Sequence, residues 1–146
     1  MPRFRYRMQN ILDIKLKLED QAKIAYGLAE QRYQAEQSKL QEMLARRSGY
    51  EAELKSCMDG RMDLQKIHEL RSACDAMKVL IRRQMMEVHK KELELEAARS
   101  ALMDVRKERM MHEKLREKAL EKYKKEELDR EGKEVDQLVS YTYNAK

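Results

Sequence analysis

The sequence predicts an all-α fold, a long two-stranded antiparallel coiled-coil hairpin with an overhanging C-terminal helix. Three observations predict it. The 146 residues include one proline, Pro2, and four glycines, so strong helix breakers are nearly absent from the interior. Ala, Leu, Glu, Lys and Arg together supply more than half of the chain, the composition of long helices. Apolar residues recur in alternating steps of three and four, as a helix seam requires. Charged residues make up 40% and aromatics 5%, with no tryptophan. That supply of bulky groups suffices for a seam but not for a three-dimensional core.

The first helix is expected over about residues 4–57. Its seam reads Met8, Ile11, Lys15, Leu18, Ala22, Tyr26, Ala29, Tyr33, Glu36, Leu40, Met43, Arg47, Tyr50, Leu54 and Cys57. Two steps of four follow one another at Leu18, Ala22 and Tyr26, which reads as a stutter that locally unwinds a supercoil. A turn is expected over 58–63, where Asp59-Gly60 interrupts the pattern. The second helix follows over about 64–131. Its seam reads Ile67, Leu70, Cys74, Met77, Ile81, then Gln84 or Met85, Val88, Leu95, Ala98, Leu102 and Val105, with His112, Leu115, Ala119 and Tyr123 as its best continuation. Gly132 is expected to end or kink that helix, leaving residues 132–146 as a short amphipathic tail.

In an antiparallel pair, facing positions must total a constant. Cys57 with Ile67, Leu54 with Leu70, Tyr50 with Cys74, Met43 with Ile81, Ala29 with Leu95 and Ala22 with Leu102 all total 124. Several of these set a small residue against a large one, which keeps a narrow seam uniform. A pairing of about 50 residues would run roughly 75 to 80 Å at 1.5 Å per residue. The chain is therefore expected to form one domain, with residues beyond about 120 left unpaired.

No catalytic chemistry is legible. His68, His89 and His112 stand about 20 residues apart, too far along a helix to share a metal. No HExxH, CxxC, phosphate-cradling glycine loop or GxSxG is present, and Glu92, Glu94 and Glu96 read as a solvated face. The expectation is a protein that is not an enzyme and needs no metal or cofactor. Cys57 and Cys74 read as small seam hydrophobes. No apolar run reaches the roughly 20 residues that cross a bilayer, and no signal peptide is visible, so a cytoplasmic location is expected.

Three features exceed what a plain coiled coil needs. The net charge is +5, and the open end of the hairpin gathers Arg3, Arg5 and Arg7 with Lys114, Arg116, Lys118, Lys122, Lys124 and Lys125. Such charge suits an acidic protein surface, on which it raises the rate of encounter. Just past the turn, Ala73, Ala76, Val79 and Leu80 widen the apolar face of the second helix beyond what one partner helix covers. In the tail, Val135, Leu138, Val139, Tyr141 and Tyr143 are more apolar than a frayed end requires. Nucleic acid is disfavoured by the mixed surface charge, and membrane insertion by the lack of an apolar face opposite the basic tract.

The N-terminal run FRYRMQNILDIKLKLEDQAKIAYGLA, residues 4–29, resembles the opening of the FliJ family, soluble coiled-coil components of the flagellar type III export apparatus. The aromatic-basic start Phe4, Arg5 and Tyr6, then Gln9, Leu12, Asp13 and Lys15, carry the resemblance. The turn glycine near residue 60 and the ending ELDREGKEVDQLVSYTYN fit the same layout. The resemblance implies a two-helix coiled coil similar to the central stalk of rotary ATPases. It implies that the open end enters the central hole of the hexameric export ATPase, FliI, and promotes ring assembly. A second surface would contact the export gate protein FlhA, export chaperones are further partners, and association with the membrane apparatus would run through these proteins. Carried over by position, the ATPase-facing residues are Arg3, Phe4, Arg5, Arg7, Met8, Ile11, Leu115, Arg116, Lys122 and Tyr123. The gate-facing residues are Ala73, Met77, Leu80 and Gln84. The residues also fit a generic cytosolic assembly or adaptor coiled coil without an ATPase partner.

Overall fold

A computed structural model describes residues 3–144. Helix α1 spans Gln9–Met58 and helix α2 spans Leu64–Asn144, and the described residues contain no strand. The two helices pack against each other as an antiparallel coiled-coil hairpin, the fold class read from the sequence. The chain divides into two compact units. Unit 1 comprises 1–21 with 103–146, and unit 2 comprises Ala22–Leu102.

Unit 2 holds the turn. Gly60 has φ of 119°, a backbone region that L side chains rarely enter, which explains the glycine at that position. Asp63 starts α2 by capping it. Its Oδ1 accepts hydrogen bonds from the backbone N–H of Gln65 at 3.1 Å and of Lys66 at 3.3 Å, two of the donors left orphaned in a first helical turn.

The unit 2 seam follows the sequence reading closely. Ile67, Leu70, Cys74, Met77, Ile81, Gln84, Leu95 and Leu102 are the buried residues of α2, and Leu102 closes the series. On α1, Ala22, Tyr26, Ala29, Tyr33, Glu36, Leu40, Met43, Arg47, Tyr50, Leu54 and Cys57 are half-buried, while their neighbours are mostly exposed. Gln84, not Met85, occupies the seam. Its Nε2 donates to the Glu36 carbonyl at 2.8 Å and to Glu36 Oε2 at 2.6 Å, so the buried amide is satisfied. The hydrogen bond from Gln84 holds the Glu36 carboxyl below the usual carboxylate range. Arg99 Nη2 donates to Tyr26 Oη at 3.4 Å with its guanidinium 5.9 Å from the ring centroid, and that contact raises the Arg99 pKa.

Unit 1 departs from the expected frame. Leu12 and Glu19 are the buried residues of α1, each 4% exposed, whereas Met8, Ile11 and Leu18 are exposed. With Glu19 in place of Leu18, the steps from Leu12 through Lys15, Glu19 and Ala22 to Cys57 alternate three and four without a break. The stutter is thus absent from the burial pattern. It arises only when the apolar neighbour is preferred to the charged residue.

Two further differences concern the ends. The segment before Gln9 precedes α1, although a helix from residue 4 is expected. Helix α2 continues through Gly132 to Asn144 rather than ending near 131. An added Cβ at Gly132 would meet nothing within 4 Å, so no packing constraint breaks the helix there. One glycine costs a helix roughly 1 kcal/mol relative to alanine, which the flanking good helix formers tolerate. The last two positions of the expected tail lie outside the described residues.

Candidate functional site

In unit 1, the residues before α1 lie against α2. Gln9 N–H bonds the Tyr6 carbonyl at 3.1 Å, which turns the chain into the helix. Phe4 then meets two of the residues singled out on α2. Its ring lies 5.4 Å from that of Tyr123 at an interplanar angle of 49°, and the Arg116 guanidinium stands 5.9 Å from the Phe4 centroid. Tilted aromatic pairs and guanidinium-over-ring contacts both exploit the ring quadrupole. Arg116 Nε also donates to Gln9 Oε1 at 2.9 Å. Phe4, Arg116 and Tyr123 are thereby brought together as the sequence reading groups them, while Gln9 is a member that it misses.

The remaining candidates of this set neighbour those residues along the chain. Arg3, Arg5, Arg7 and Lys122 are exposed, as are Met8 and Ile11 at 38% and Leu115 at 45%. Leu115 is therefore outside the seam continuation expected of it. Arg116, itself exposed, makes the contacts at that level through its guanidinium, which stands over the Phe4 ring and bonds Gln9. Tyr6 Oη and His112 Nδ1 are buried without a protein hydrogen-bond partner.

Unit 1 also holds a charged layer, of which the sequence reading places only Lys15 in the seam. Glu19 accepts from Arg109 Nε and, at 3.2 Å, from Arg109 Nη2, a two-pronged contact. Arg106 Nε adds a third bond at 3.3 Å, and Arg109 Nη1 donates to Glu113 at 2.8 Å. The Glu19 hydrogen bonds raise the Arg109 pKa above its ordinary value. Lys15 Nζ pairs with Glu108 at 2.6 Å and depresses that carboxyl. The missed signal is the unbroken three-four alternation, which admits Glu19 and excludes Leu18.

In unit 2, the four gate-facing candidates divide. Met77 and Gln84 are each 7% exposed and face α1 from within the seam. Ala73 is half-buried and Leu80 is 43% exposed. The exposed Ala76 and Val79 join these last two on the outer side of α2. A larger side chain is thus offered to a partner only at Leu80 and Val79.

The chemistry available is that of a binding surface. The described residues contain no group of three or more His, Cys, Asp or Glu able to hold a metal ion, and Cys57 and Cys74 are free thiols. No described helix is long and apolar enough to cross a membrane. Concave surface takes the form of open grooves, one on α1 lined by Gln34, Gln37, Ser38, Gln41 and Glu42 and one on α2 lined by Lys107, Met110, Met111, Lys114, Leu115 and Lys118.

A family model described as "Flagellar FliJ protein" matches residues 4–146. No curated protein matches the sequence. Among solved structures, a putative YscO homolog from Chlamydia trachomatis is similar with a TM-score of 0.61 and 21% identity, over 97% of this chain and 96% of that one. At that identity the likeness is one of fold.

Proposed function

The chain belongs to the FliJ family of flagellar proteins, and on that premise we propose that it is a non-enzymatic component of the type III export apparatus that binds the hexameric export ATPase through unit 1. The observation that carries this reading is the Phe4, Arg116 and Tyr123 cluster, with the exposed Arg3, Arg5, Arg7 and Lys122 close by in the chain. Ordered aromatic and guanidinium groups supply the anchors that a protein interface needs, and the surrounding charge steers an acidic surface toward them. Met8, Ile11 and Leu115 add exposed apolar area beside the same cluster. A helical surface marked by open grooves suits insertion in the centre of a ring.

The export gate is engaged by unit 2, through Leu80 with Ala73 at the surface. Met77 and Gln84 act from beneath by holding that stretch of α2 in place. Export chaperones are further partners of the same apparatus. Recruitment to the membrane runs through these proteins.

The test is ATPase activity of the cognate export ATPase against added wild-type protein and two variants. Changing Arg3, Arg5 and Arg7 to Glu should reduce binding at least tenfold and flatten its salt dependence while helicity is retained. Changing Ala73 and Leu80 to Glu should leave ATPase binding intact and weaken binding to the gate protein. A wild-type chain that neither binds nor stimulates the ATPase overturns the assignment.

A further inference from the structure

The open groove on α2 in unit 1 has the form of a helix acceptor. Its six lining residues fall into two rows with steps of four, Lys107, Met111 and Leu115 in one and Met110, Lys114 and Lys118 in the other. Rows of that spacing are the ridges of a helix surface, and the channel between two of them receives a ridge of a second helix. From residue 107 to residue 118 the channel covers roughly 16 Å of α2, about three turns.

Helix α1 is not that second helix. Arg109 and Arg116 bond α1 at Glu19 and Gln9, and Val105, His112 and Ala119 are half-buried in the same three-four row. At about 3.6 residues per turn, Lys107, Met111, Lys114 and Lys118 stand about half a turn from that row, on the far side of α2. Met110, Met111 and Leu115 are exposed in the groove, although a face turned only to water needs no apolar residue.

Charge selects the occupant. The lining carries three lysines and no acid, and among the described residues none of these lysines pairs with a carboxylate. By contrast, Lys15, Arg106, Arg109 and Arg130 of the same unit each have a carboxylate partner within the chain. Of the three acids within 107–118, Lys15 holds Glu108 and Arg109 holds Glu113, which leaves Glu117 as the uncommitted one. A basic segment would be repelled. A nucleic-acid backbone gains nothing from Met110, Met111 and Leu115, and three apolar residues set among lysines are too few to anchor in a bilayer. An acidic amphipathic helix satisfies the ammonium groups and the apolar groups together, and the unbranched methionines adapt to its side chains.

We propose that this groove docks an acidic amphipathic helix of another protein. An apolar ridge of that helix packs between Met110 and Met111, and carboxylates on its flanks meet Lys107, Lys114 and Lys118. The contact weakens as salt rises, since its ion pairs lie at the surface.

The probe is a labelled helical peptide of about 18 residues, with a leucine ridge in steps of four and glutamates on both sides. Fluorescence anisotropy at low salt, with the full chain as titrant, should give a dissociation constant of about 1 to 100 µM. A scrambled peptide of the same composition keeps the charge and loses the ridge, so it should bind at least tenfold more weakly. No saturation by about 1 mM, or equal binding of the scrambled peptide, overturns the proposal. Lys107→Glu with Lys114→Glu should weaken binding about tenfold. In the wild-type chain, the ε-methyl NMR signals of Met110 and Met111, assigned with Met110→Leu and Met111→Leu, should shift on titration. That of Met77, in the unit 2 seam, should not. Shifts confined to other methionines overturn the site. Phosphatidylglycerol vesicles should leave the Met110 and Met111 signals in place, and movement of both by vesicles alone would make the groove a lipid site and overturn the helix. Neither the groove nor these measurements involve the ATPase, so docking here and ATPase binding can fail separately.

Discussion

Glu19 on α1 and Arg109 on α2 meet through two hydrogen bonds, and the Glu19 side chain is only 5% exposed. A buried carboxylate is tolerated when its lone pairs are occupied and its charge is matched, and here two guanidiniums do both. Truncating it leaves Arg109 with Glu113 alone. Glu19→Ala should destabilise the chain by about 1 to 3 kcal/mol, and Leu18→Ala by under about 1. Urea unfolding followed by circular dichroism checks the ranking, and a larger loss at Leu18 would restore the stuttered frame.

The same frame predicts a contrast among apolar residues. Leu12 is 4% exposed and Leu18 is 39% exposed. Leu12→Ala should cost about 2 to 3 kcal/mol, and Leu102→Ala in unit 2 a similar amount, at the lower end of core truncations because a two-stranded seam is narrow. For Leu102→Ala, a melting temperature that moves less than about 2 °C would place it outside the seam.

The unit 2 register is open to direct chemical test. In a background with Cys57 and Cys74 replaced by alanine, cysteines at Ala29 and Leu95 should oxidise within one chain, since both positions lie in the seam and total 124. Dilution should leave the yield unchanged. Cross-links that form only between chains would contradict the hairpin. The native Cys57 and Cys74 should stay reduced, because they stand about seven residues, roughly 10 Å, out of register.

Acid should loosen both units. Glu36 is held below its ordinary value of 4.5 chiefly by Gln84, and Glu108 below the same value by Lys15. A depressed folded-state pKa contributes stability that is present above the unfolded value and is lost as pH falls through the folded one. The melting temperature should therefore hold above about pH 5 and fall below about pH 4.5. The double variant Glu36→Gln and Glu108→Gln should show a shallower fall, measured by thermal scans from pH 7 to pH 3. An acid limb as steep as that of wild type would assign the effect to other carboxylates.

Most of the architecture is legible along the chain because it rests on local rules. Few breakers and a three-four apolar rhythm place two helices, Gly60 marks the turn, and every buried position of α2 is a seam residue that the periodicity selects. The FliJ resemblance of residues 4–29 is likewise a property of residue order, and the family match over 4–146 agrees with it. Tertiary structure alone decided where charge is buried. Glu19 belongs in the seam only because Arg106 and Arg109 arrive from nearly ninety positions away, and no local preference encodes that arrival. For the same reason Gln84 displaces Met85, since its amide finds both the carbonyl and the carboxylate of Glu36. Hydrophobic periodicity ranks residues by their cost of leaving water, whereas the partner that cancels that cost is chosen by the opposite helix.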